Sequence, residues 1–127
     1  MSRVGMNIRV AAFAVGALAL ASGAQAGDTK NGAQVFHQCQ TCHTADKGAA
    51  NGLGPNLFGI VGRKAGTVAG FSYSAALKSS GIVWTNDKLK AWVAGPSKLV
   101  PGTRMFFPGI TDPKKADDLA AYLATLK

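Results

Sequence analysis

The sequence predicts an all-α domain, and three observations point to it. Helix-capping residues stand before apolar segments near both ends of the chain beyond residue 26. The middle of the chain, residues 47–72, is dense in glycine and proline, which favours loops and turns over a sheet. The final segment repeats apolar residues at helical spacing. Together these features predict two terminal helices, shorter helices between them, and long loops.

The first 26 residues have the pattern of a secretory signal peptide. Arg3 and Arg9 form a basic opening, an apolar run covers residues 10–21, and Ala24-Gln25-Ala26 supplies the small-x-small cleavage pattern. The alternative is an uncleaved membrane anchor, but a spanning helix needs about 20 apolar residues, more than this run provides. We therefore predict cleavage before Gly27, with residues 1–26 removed and residues 27–127 forming one domain in the periplasm.

The first predicted helix begins after Asp28, a favourable N-cap, and runs through "TKNGAQVFHQCQTC" with Val35 and Phe36 on its apolar side. The segment "SYSAALKSS" predicts a short helix that stops at Gly81. The next segment, "TNDKLKAWVAG", predicts another helix, with Thr85 or Asn86 as its cap and Gly95 as its stop.

The segment "PSKLVPGTRMFFPG" is predicted to be a loop because proline and glycine recur along it. The last helix should begin after Asp112, with Pro113 in its first turn, where proline loses no helical hydrogen bond. Its apolar face consists of residues at i, i+3, i+4 and i+7: Leu119, Tyr122, Leu123 and Leu126.

The charge of the mature chain is basic. Twelve of the fourteen Lys and Arg residues lie beyond residue 26 and face six Asp and no Glu, so the net charge is +6. An exported basic protein is poorly placed to bind nucleic acid, and no basic helix favours that function. We therefore predict acidic protein faces as partners, a monomeric state, and at most transient contact with membrane surfaces.

The core has little material for a domain of this size. Small exported domains usually compensate with disulfides or a metal. Here the only possible disulfide, Cys39–Cys42, would enclose two residues and constrain the unfolded chain little. The sequence therefore predicts that another group completes the core.

Residues Cys39-Gln40-Thr41-Cys42-His43 form C-x-x-C-H, the attachment signature of haem c. Two cysteines three apart on a helix share a face, so both sulfurs can reach the two vinyl groups on one edge of a haem. His43 then follows as the proximal iron ligand. The pattern predicts one haem c, attached through Cys39 and Cys42.

Three other interpretations of this cluster remain open at this point. A structural zinc site needs four ligands, and the mature chain has no further Cys or His beyond His37. A thioredoxin-like redox motif needs a βαβ setting, which the all-α prediction denies. A plain disulfide would leave the cluster and the small core unexplained.

A haem also needs a ligand on the opposite face of the iron. The mature chain has one methionine, Met105, and it lies between turn residues that could direct its thioether inward. His37 lies on the proximal segment, so we predict that it is an exposed bystander. His43 and Met105 are therefore the predicted metal ligands.

The residues quoted so far, taken with the rest of the chain, resemble the class I c-type cytochromes of the short bacterial and mitochondrial type. The resemblance covers nearly all of residues 27–127 and rests on these segments in order: "CQTCH", "GPNLFGIVGRKAG", "GFSYS", "GIVW", "VPGTRMFF" and "DDLAAYL". It implies the cytochrome c fold, in which crossing N- and C-terminal helices, shorter helices and long loops wrap around one covalently bound haem.

The resemblance also implies roles for residues around the cofactor. The carbonyl of Pro55 would accept a hydrogen bond from His43. Arg63, Tyr73 and Trp84 would hydrogen-bond a buried haem propionate. Further contacts implied by the resemblance are Thr103 near the distal face, Phe107 over the haem edge, and Gly32 and Phe36 packed against Leu119 and Tyr122.

Several positions depart from the family pattern. Trp92 replaces a tyrosine whose hydroxyl reaches the methionine sulfur, Leu77 replaces a distal asparagine, and Asn51 replaces a histidine in the loop before Pro55. The changes at Trp92 and Leu77 predict a thinner polar network on the distal side. Of the usual ring of docking lysines, two positions hold Gln38 and Ser97, and the remaining candidate cations are Lys47, Lys64, Lys98 and Arg104.

The resemblance implies a soluble periplasmic electron carrier and no enzymatic activity. Its donor would be a cytochrome c reductase or a dehydrogenase, and its acceptor a terminal oxidase, a peroxidase or a photosynthetic reaction centre. A small peroxidase would need a distal acid–base residue, and the chain has neither a second reachable His nor a Glu. A gas sensor would need Met105 to yield to its ligand.

Overall fold

The structure is a computed structural model that describes residues 11–17 and 27–127. Its helices are α1 (Thr29–Phe36), α2 (Ala75–Lys78), α3 (Asn86–Ala94), α4 (Pro96–Leu99) and α5 (Pro113–Leu123), with a 3₁₀ turn, His37–Cys39, directly after α1. The described residues contain no β-strand and only one isolated bridge, between Lys64 and Val83. The all-α prediction is confirmed.

The N-terminal region is described only in part. Residues 11–17, within the predicted signal segment, have no regular secondary structure, and the rest of that segment lies outside the described residues. Among the residues described, no helix combines the length and the apolar character that crossing a membrane requires. The predicted cleavage before Gly27 stays a prediction.

Helix α1 begins as predicted and ends earlier. The carboxylate of Asp28 accepts hydrogen bonds from the backbone N–H groups of Lys30 (2.8 Å) and Asn31 (3.1 Å), which is worth about 1 kcal/mol for an N-cap. The predicted continuation to Cys42 is wrong, because the backbone tightens into the 3₁₀ turn from His37 onwards. The N–H of Cys42 then bonds the carbonyl of Cys39 at 3.1 Å, so a turn brings the two cysteines together.

The middle helices follow local capping chemistry. Ser74 caps α2 through the N–H of Leu77 (3.2 Å), and Thr85, one of the two predicted candidates, caps α3 through the N–H of Lys88 (3.2 Å). Helix α4 lies within the segment after α3 that the sequence predicts to be a loop, so that prediction is wrong for Pro96–Leu99. Pro96 at its first position has a φ already suited to a helix, so the chain resumes helical structure directly after Gly95.

The N- and C-terminal helices, α1 and α5, form the most extensive helix–helix contact of the domain. Phe36 and Leu119 are almost fully buried there, and the rings of Phe36 and Tyr122 lie 5.1 Å apart. A Cβ on residue 32 would collide with the carbonyl oxygen of Asp118, so glycine is required at this close approach. Burial of a side chain such as Phe36 or Leu119 contributes about 1.5–3 kcal/mol.

The same contact contains a buried carboxylate that the sequence did not reveal. Asp118 is 1% exposed, and its oxygens accept hydrogen bonds from the backbone N–H of Asp28 (2.8 Å) and from the side chain of Asn31 (3.2 Å). The ammonium of Lys114 bonds both carboxylate oxygens at 2.9 Å. These donors, with Lys114 the largest contributor, hold the pKa of Asp118 below its usual range.

Replacement of Asp118 by Asn is expected to make the stability less dependent on pH under acidic conditions. A lowered pKa in the folded state means that the carboxylate stabilises the wild type above its ordinary pKa of about 4, and that this stabilisation is lost as the pH falls through the lowered value. The Asp118→Asn variant should therefore unfold more easily at neutral pH and converge with the wild type at low pH. Thermal unfolding followed from pH 7 to pH 2 tests this, with the exposed Asp46→Asn variant as control. Parallel curves for wild type and Asp118→Asn would contradict it.

Candidate cofactor site

His43 is held by a hydrogen bond that defines its tautomer. Its Nδ1 lies 2.7 Å from the carbonyl oxygen of Pro55. Because a carbonyl can only accept, Nδ1 must carry the hydrogen, and the neutral ring then keeps its free lone pair on Nε2. This is the state in which an imidazole binds a metal, and the acceptor is the carbonyl that the family resemblance implies.

The backbone of Gly54 lies directly against the His43 ring. A Cβ at residue 54 would lie 2.7 Å from Nδ1, closer than side chains approach one another, so only glycine leaves room for the imidazole. Burial lowers the pKa of His43, and the hydrogen bond to Pro55 acts in the opposite direction. The larger effect of burial favours the neutral ring that ligation requires.

The two cysteines of the C-x-x-C-H turn differ in exposure. Cys39 is half-buried against the hydrophobic core, and burial, followed by the neighbouring Cys42, raises the pKa of its thiol to about 11. Cys42 is exposed. The turn that joins them is closed by the 2.9 Å hydrogen bond from the N–H of His43 to the carbonyl of Cys39, which brings His43 directly after the thiol pair.

Met105 lies in the loop before α5, and its sulfur accepts a hydrogen bond. The donor is the indole N–H of Trp92 on α3, at 3.1 Å. Trp92 is buried and its ring packs 5.2 Å from that of Trp84, which fixes the direction of the indole. A thioether has two lone pairs, so this bond leaves one of them for a metal.

This contact corrects one expectation about the distal side. The replacement of the family's tyrosine by Trp92 was expected to thin the polar network around Met105, yet the indole supplies the same kind of donor to the sulfur. The sequence does show that residue 92 is a tryptophan, whose indole has one N–H donor. Whether that N–H could reach Met105 depends on how α3 packs, which the sequence does not specify.

Thr103 and Phe107 flank Met105 in the chain. Thr103 is buried, and its hydroxyl accepts a hydrogen bond from the backbone N–H of Met105 at 3.3 Å. Phe107 is half-buried and packs against the core. Both residues therefore support the segment that carries the sulfur.

Of the three residues predicted to bind a propionate, Arg63 and Tyr73 hydrogen-bond other protein groups in the structure. The Arg63 guanidinium donates to the backbone carbonyls of Asn56 (3.0 Å) and Phe58, and burial lowers its pKa. The Tyr73 hydroxyl accepts from the N–H of Val68 at 3.0 Å, which leaves its own O–H free to donate. Trp84 is buried beside Trp92. The remaining guanidinium donors and the tyrosine O–H fit an anionic group, and the propionate role stays a prediction.

The placement of the possible donor side chains argues against a structural zinc site at the cysteine cluster. Within residues 11–17 and 27–127, no group of three or more His, Cys, Asp or Glu side chains is placed to hold a metal ion. A helical domain with a C-x-x-C-H turn, a neutral proximal imidazole and a restrained thioether has the donor set of a haem c protein, and these residues fit that group.

Comparisons with known proteins agree with this class. The sequence model of the cytochrome c family matches residues 29–127. The chain is 50% identical over 102 residues to a cytochrome c2 of Rhodopila globiformis, covering 80% of this chain and 95% of the relative. It is 48% identical over 101 residues to a cytochrome c of Guizotia abyssinica, covering 79% and 91%. The solved structure of cytochrome cH from Methylobacterium extorquens superposes with a TM-score of 0.74 at 51% identity, covering 78% of this chain and 99% of that one.

The chain therefore belongs to the cytochrome c family. Members of this family are haem-based electron carriers, and the cofactor is a covalently attached haem c whose attachment spacing is formed here by Cys39 and Cys42.

Proposed function

We propose that this protein is a soluble periplasmic carrier that transfers one electron at a time through a haem c ligated by His43 and Met105. The observation that carries the proposal is that each of the two candidate ligands is held by one hydrogen bond. His43 donates its Nδ1 hydrogen to Pro55 at 2.7 Å, and Met105 accepts from Trp92 at 3.1 Å. Each side chain is thereby restrained while one lone pair stays free for iron.

The bound haem would supply a ferric/ferrous couple, and the protein would set its preference between the two states. A soft thioether ligand in an apolar surround favours the less charged ferrous state, which raises the potential. If His43 and Met105 both held the iron, the protein would leave no ligand position open for a substrate. This supports a carrier over an enzyme. The hydrogen-bond partners of Met105, Trp92 and Thr103, are not acid–base groups either.

The remaining site residues would bind and shield the cofactor. Arg63 and Tyr73 keep donors free for a propionate, and Arg63 would offset part of the cost of burying its charge. Phe107, half-buried against the core, would cover the haem edge. We propose these roles because free hydrogen-bond donors suit a propionate and an apolar side chain suits the haem edge.

The surface around the ligand segments suits an acidic partner with an apolar centre. Phe106 follows Met105 and is 91% exposed, and Leu53 precedes Gly54 and is 84% exposed. The predicted docking cations, Lys47, Lys64, Lys98 and Arg104, are all exposed. We propose that they steer the face of a reductase, dehydrogenase, oxidase, peroxidase or reaction centre that carries acidic groups.

The docking proposal predicts a charge-specific effect on the rate of electron transfer. Lys98→Glu should lower the second-order rate constant for reduction or oxidation by an acidic-faced redox partner on the order of threefold or more at low salt, because electrostatic steering is weakened. Stopped-flow absorbance of the haem measures this rate. Lys115→Glu on α5 is the matched control, since it changes the net charge equally. Equal losses in the two variants, or a difference that persists at high salt, would contradict a specific docking face.

The periplasmic location is part of the proposal and rests on the signal pattern of residues 1–26. The mature protein is expected to begin at Gly27, whose backbone packs so closely against α5 that a Cβ there would collide with the carbonyl of Asp117. N-terminal sequencing of protein released from the periplasm tests the cleavage site. Protein that keeps residues 1–26 in the membrane fraction would contradict it.

A further inference from the structure

A single peptide unit, the one joining Pro55 to Asn56, is hydrogen-bonded at both ends. Its carbonyl oxygen accepts from Nδ1 of His43 at 2.7 Å, and its N–H donates to the side-chain oxygen of Asn51 at 2.8 Å. Because the peptide group is planar and conjugated, the two bonds act on one rigid dipole. Asn51 is thus connected to His43 although the two side chains do not bond each other.

We propose that Asn51 is a positioning residue for His43 and acts through the Pro55–Asn56 peptide. Accepting the N–H of this peptide polarises its carbonyl, since consecutive hydrogen bonds strengthen each other by about 10–30%. A more negative carbonyl holds the Nδ1 hydrogen of His43 more strongly and makes Nε2 a better donor to a metal. The inference rests on the proposed function, in which Nε2 binds the haem iron.

The orientation of the Asn51 amide follows from its two partners. Its nitrogen donates to the carbonyl of Ala69 at 3.1 Å, and its oxygen accepts the N–H of Asn56. A flipped amide would bring an acceptor against the Ala69 carbonyl and a donor against the Asn56 N–H, so only one orientation satisfies both. The side chain therefore presents a fixed acceptor to the peptide.

The peptide is also anchored on its other side. The Asn56 side-chain nitrogen donates to the carbonyls of Asp46 (2.9 Å) and Ala49 (3.0 Å), and its oxygen accepts from the N–H of Phe58 (2.9 Å). The two asparagines thus hold the segment that carries Pro55 against three other parts of the loop region. A group held this firmly can fix the direction of a ligand.

Contact with Gly54 transmits this position to the imidazole. The ring lies directly on the Gly54 backbone and is bonded to the next carbonyl, that of Pro55. Movement of this short segment therefore moves both the surface that the ring rests on and the acceptor that orients it. Loss of the Asn51 acceptor should therefore alter the position of the His43 ring and its hydrogen bond to Pro55.

Two substitutions separate polarisation of the peptide from simple tethering of the loop. Asn51→Leu removes the acceptor and the tether to Ala69. Asn51→Asp keeps an oxygen for the Asn56 N–H, now a stronger acceptor, but cannot donate to the Ala69 carbonyl. Proton NMR of the ferrous haem protein measures the His43 Nδ1–H resonance and its exchange with solvent, with Asn86→Leu on the exposed start of α3 as control.

The Nδ1–H resonance should move upfield in Asn51→Leu and downfield in Asn51→Asp, and it should exchange about tenfold faster in Asn51→Leu, equivalent to about 1.4 kcal/mol. The reduction potential should rise in the first variant and fall in the second. Shifts of the same sign in both variants would assign Asn51 a purely structural role and overturn the proposal, and so would unchanged resonances. If Asn51→Leu does not fold, an upfield or unchanged resonance in Asn51→Asp overturns it.

The wild-type spectrum tests the underlying function separately. In a ferrous haem protein, the ring protons of an axial histidine are strongly shifted by the haem ring current. Absence of such shifts for His43 would refute its role as a ligand, and with it the proposed function. Shifted His43 ring protons in the wild type, together with no response to the Asn51 variants, would refute only the role of Asn51.

Discussion

Replacement of Met105 by alanine is expected to abolish the thioether-to-iron absorption band of the ferric protein and to leave the iron five-coordinate or bound to water. Beyond residue 26 the chain has no second methionine, and its other histidine, His37, is exposed on the 3₁₀ turn after α1. No other methionine and no histidine on the distal side is therefore available to replace the sulfur. The change should be visible in the absorption spectrum at neutral pH.

The reduction potential should fall in the same variant. A thioether stabilises ferrous iron over ferric iron, so its loss removes part of that preference. A tenfold change in preference corresponds to about 59 mV for a one-electron couple, and we expect the fall to exceed this value. Redox titration of the purified haem protein measures the potential, and added imidazole should bind the ferric variant more tightly than it binds the wild type.

Leu77→Ala is the control for the Met105 variant. Leu77 is buried and lies on the distal side by resemblance to the family, so its truncation costs packing without removing a ligand. The Leu77 variant should be less stable and keep the thioether band. A Met105→Ala protein that keeps the band, or a wild type with a five-coordinate high-spin spectrum, would refute ligation by Met105.

Local chemistry determined which parts of the fold the sequence could predict. Asp28, Thr85 and Asp112 cap helices through the N–H groups two or three residues later, so their effect can be predicted from the neighbouring sequence. The early end of α1 and the additional helix α4 were missed for the opposite reason. Both depend on small changes in backbone geometry, at His37 and Pro96, where several conformations suit the same residue types.

In the candidate site, too, features formed by adjacent residues could be predicted, and contacts that depend on packing could not. The C-x-x-C-H turn is contiguous, so its chemistry could be inferred directly, and Met105 could be inferred because it is the single mature methionine. The bond from Trp92 to Met105 and the bond from Asn51 to Ala69 join residues 13 and 18 positions apart through side chains. Such contacts depend on how loops and helices pack. The sequence shows that Trp92 and Asn51 depart from the family pattern. It does not show whether each new side chain still makes a hydrogen bond in place of the family's residue.

Replacement of both Cys39 and Cys42 by alanine is expected to remove most of the helical structure from the chain when no haem is bound. The longest described helix, α5, has 11 residues, and isolated helices shorter than about 12–15 residues are marginal in water. Helices α1, α3 and α5 must therefore be stabilised by tertiary contacts, and the segment between Gln40 and Ser74 contains no helix that could contribute.

The haem would provide many of those contacts. Cys39, Leu57, Tyr73, Met105 and Phe107 border the hydrophobic core and come from separate parts of the chain. A cofactor bonded to Cys39 and Cys42 and ligated by His43 and Met105 would join these segments. Without it, the chain must pay the conformational entropy of ordering its long loops, about 1–2 kcal/mol per residue, with few contacts in return.

Far-ultraviolet circular dichroism of the double variant, purified without haem, measures the effect. The single variant Cys42→Ala is the matched control, because it keeps one thioether bond through Cys39 and should retain the wild-type helical signal. Added haem should restore part of the signal in the double variant if His43 and Met105 can still bind it. A native helical spectrum and a cooperative thermal transition in the haem-free double variant would show that the protein core is sufficient by itself. That outcome would refute the prediction that haem completes the fold.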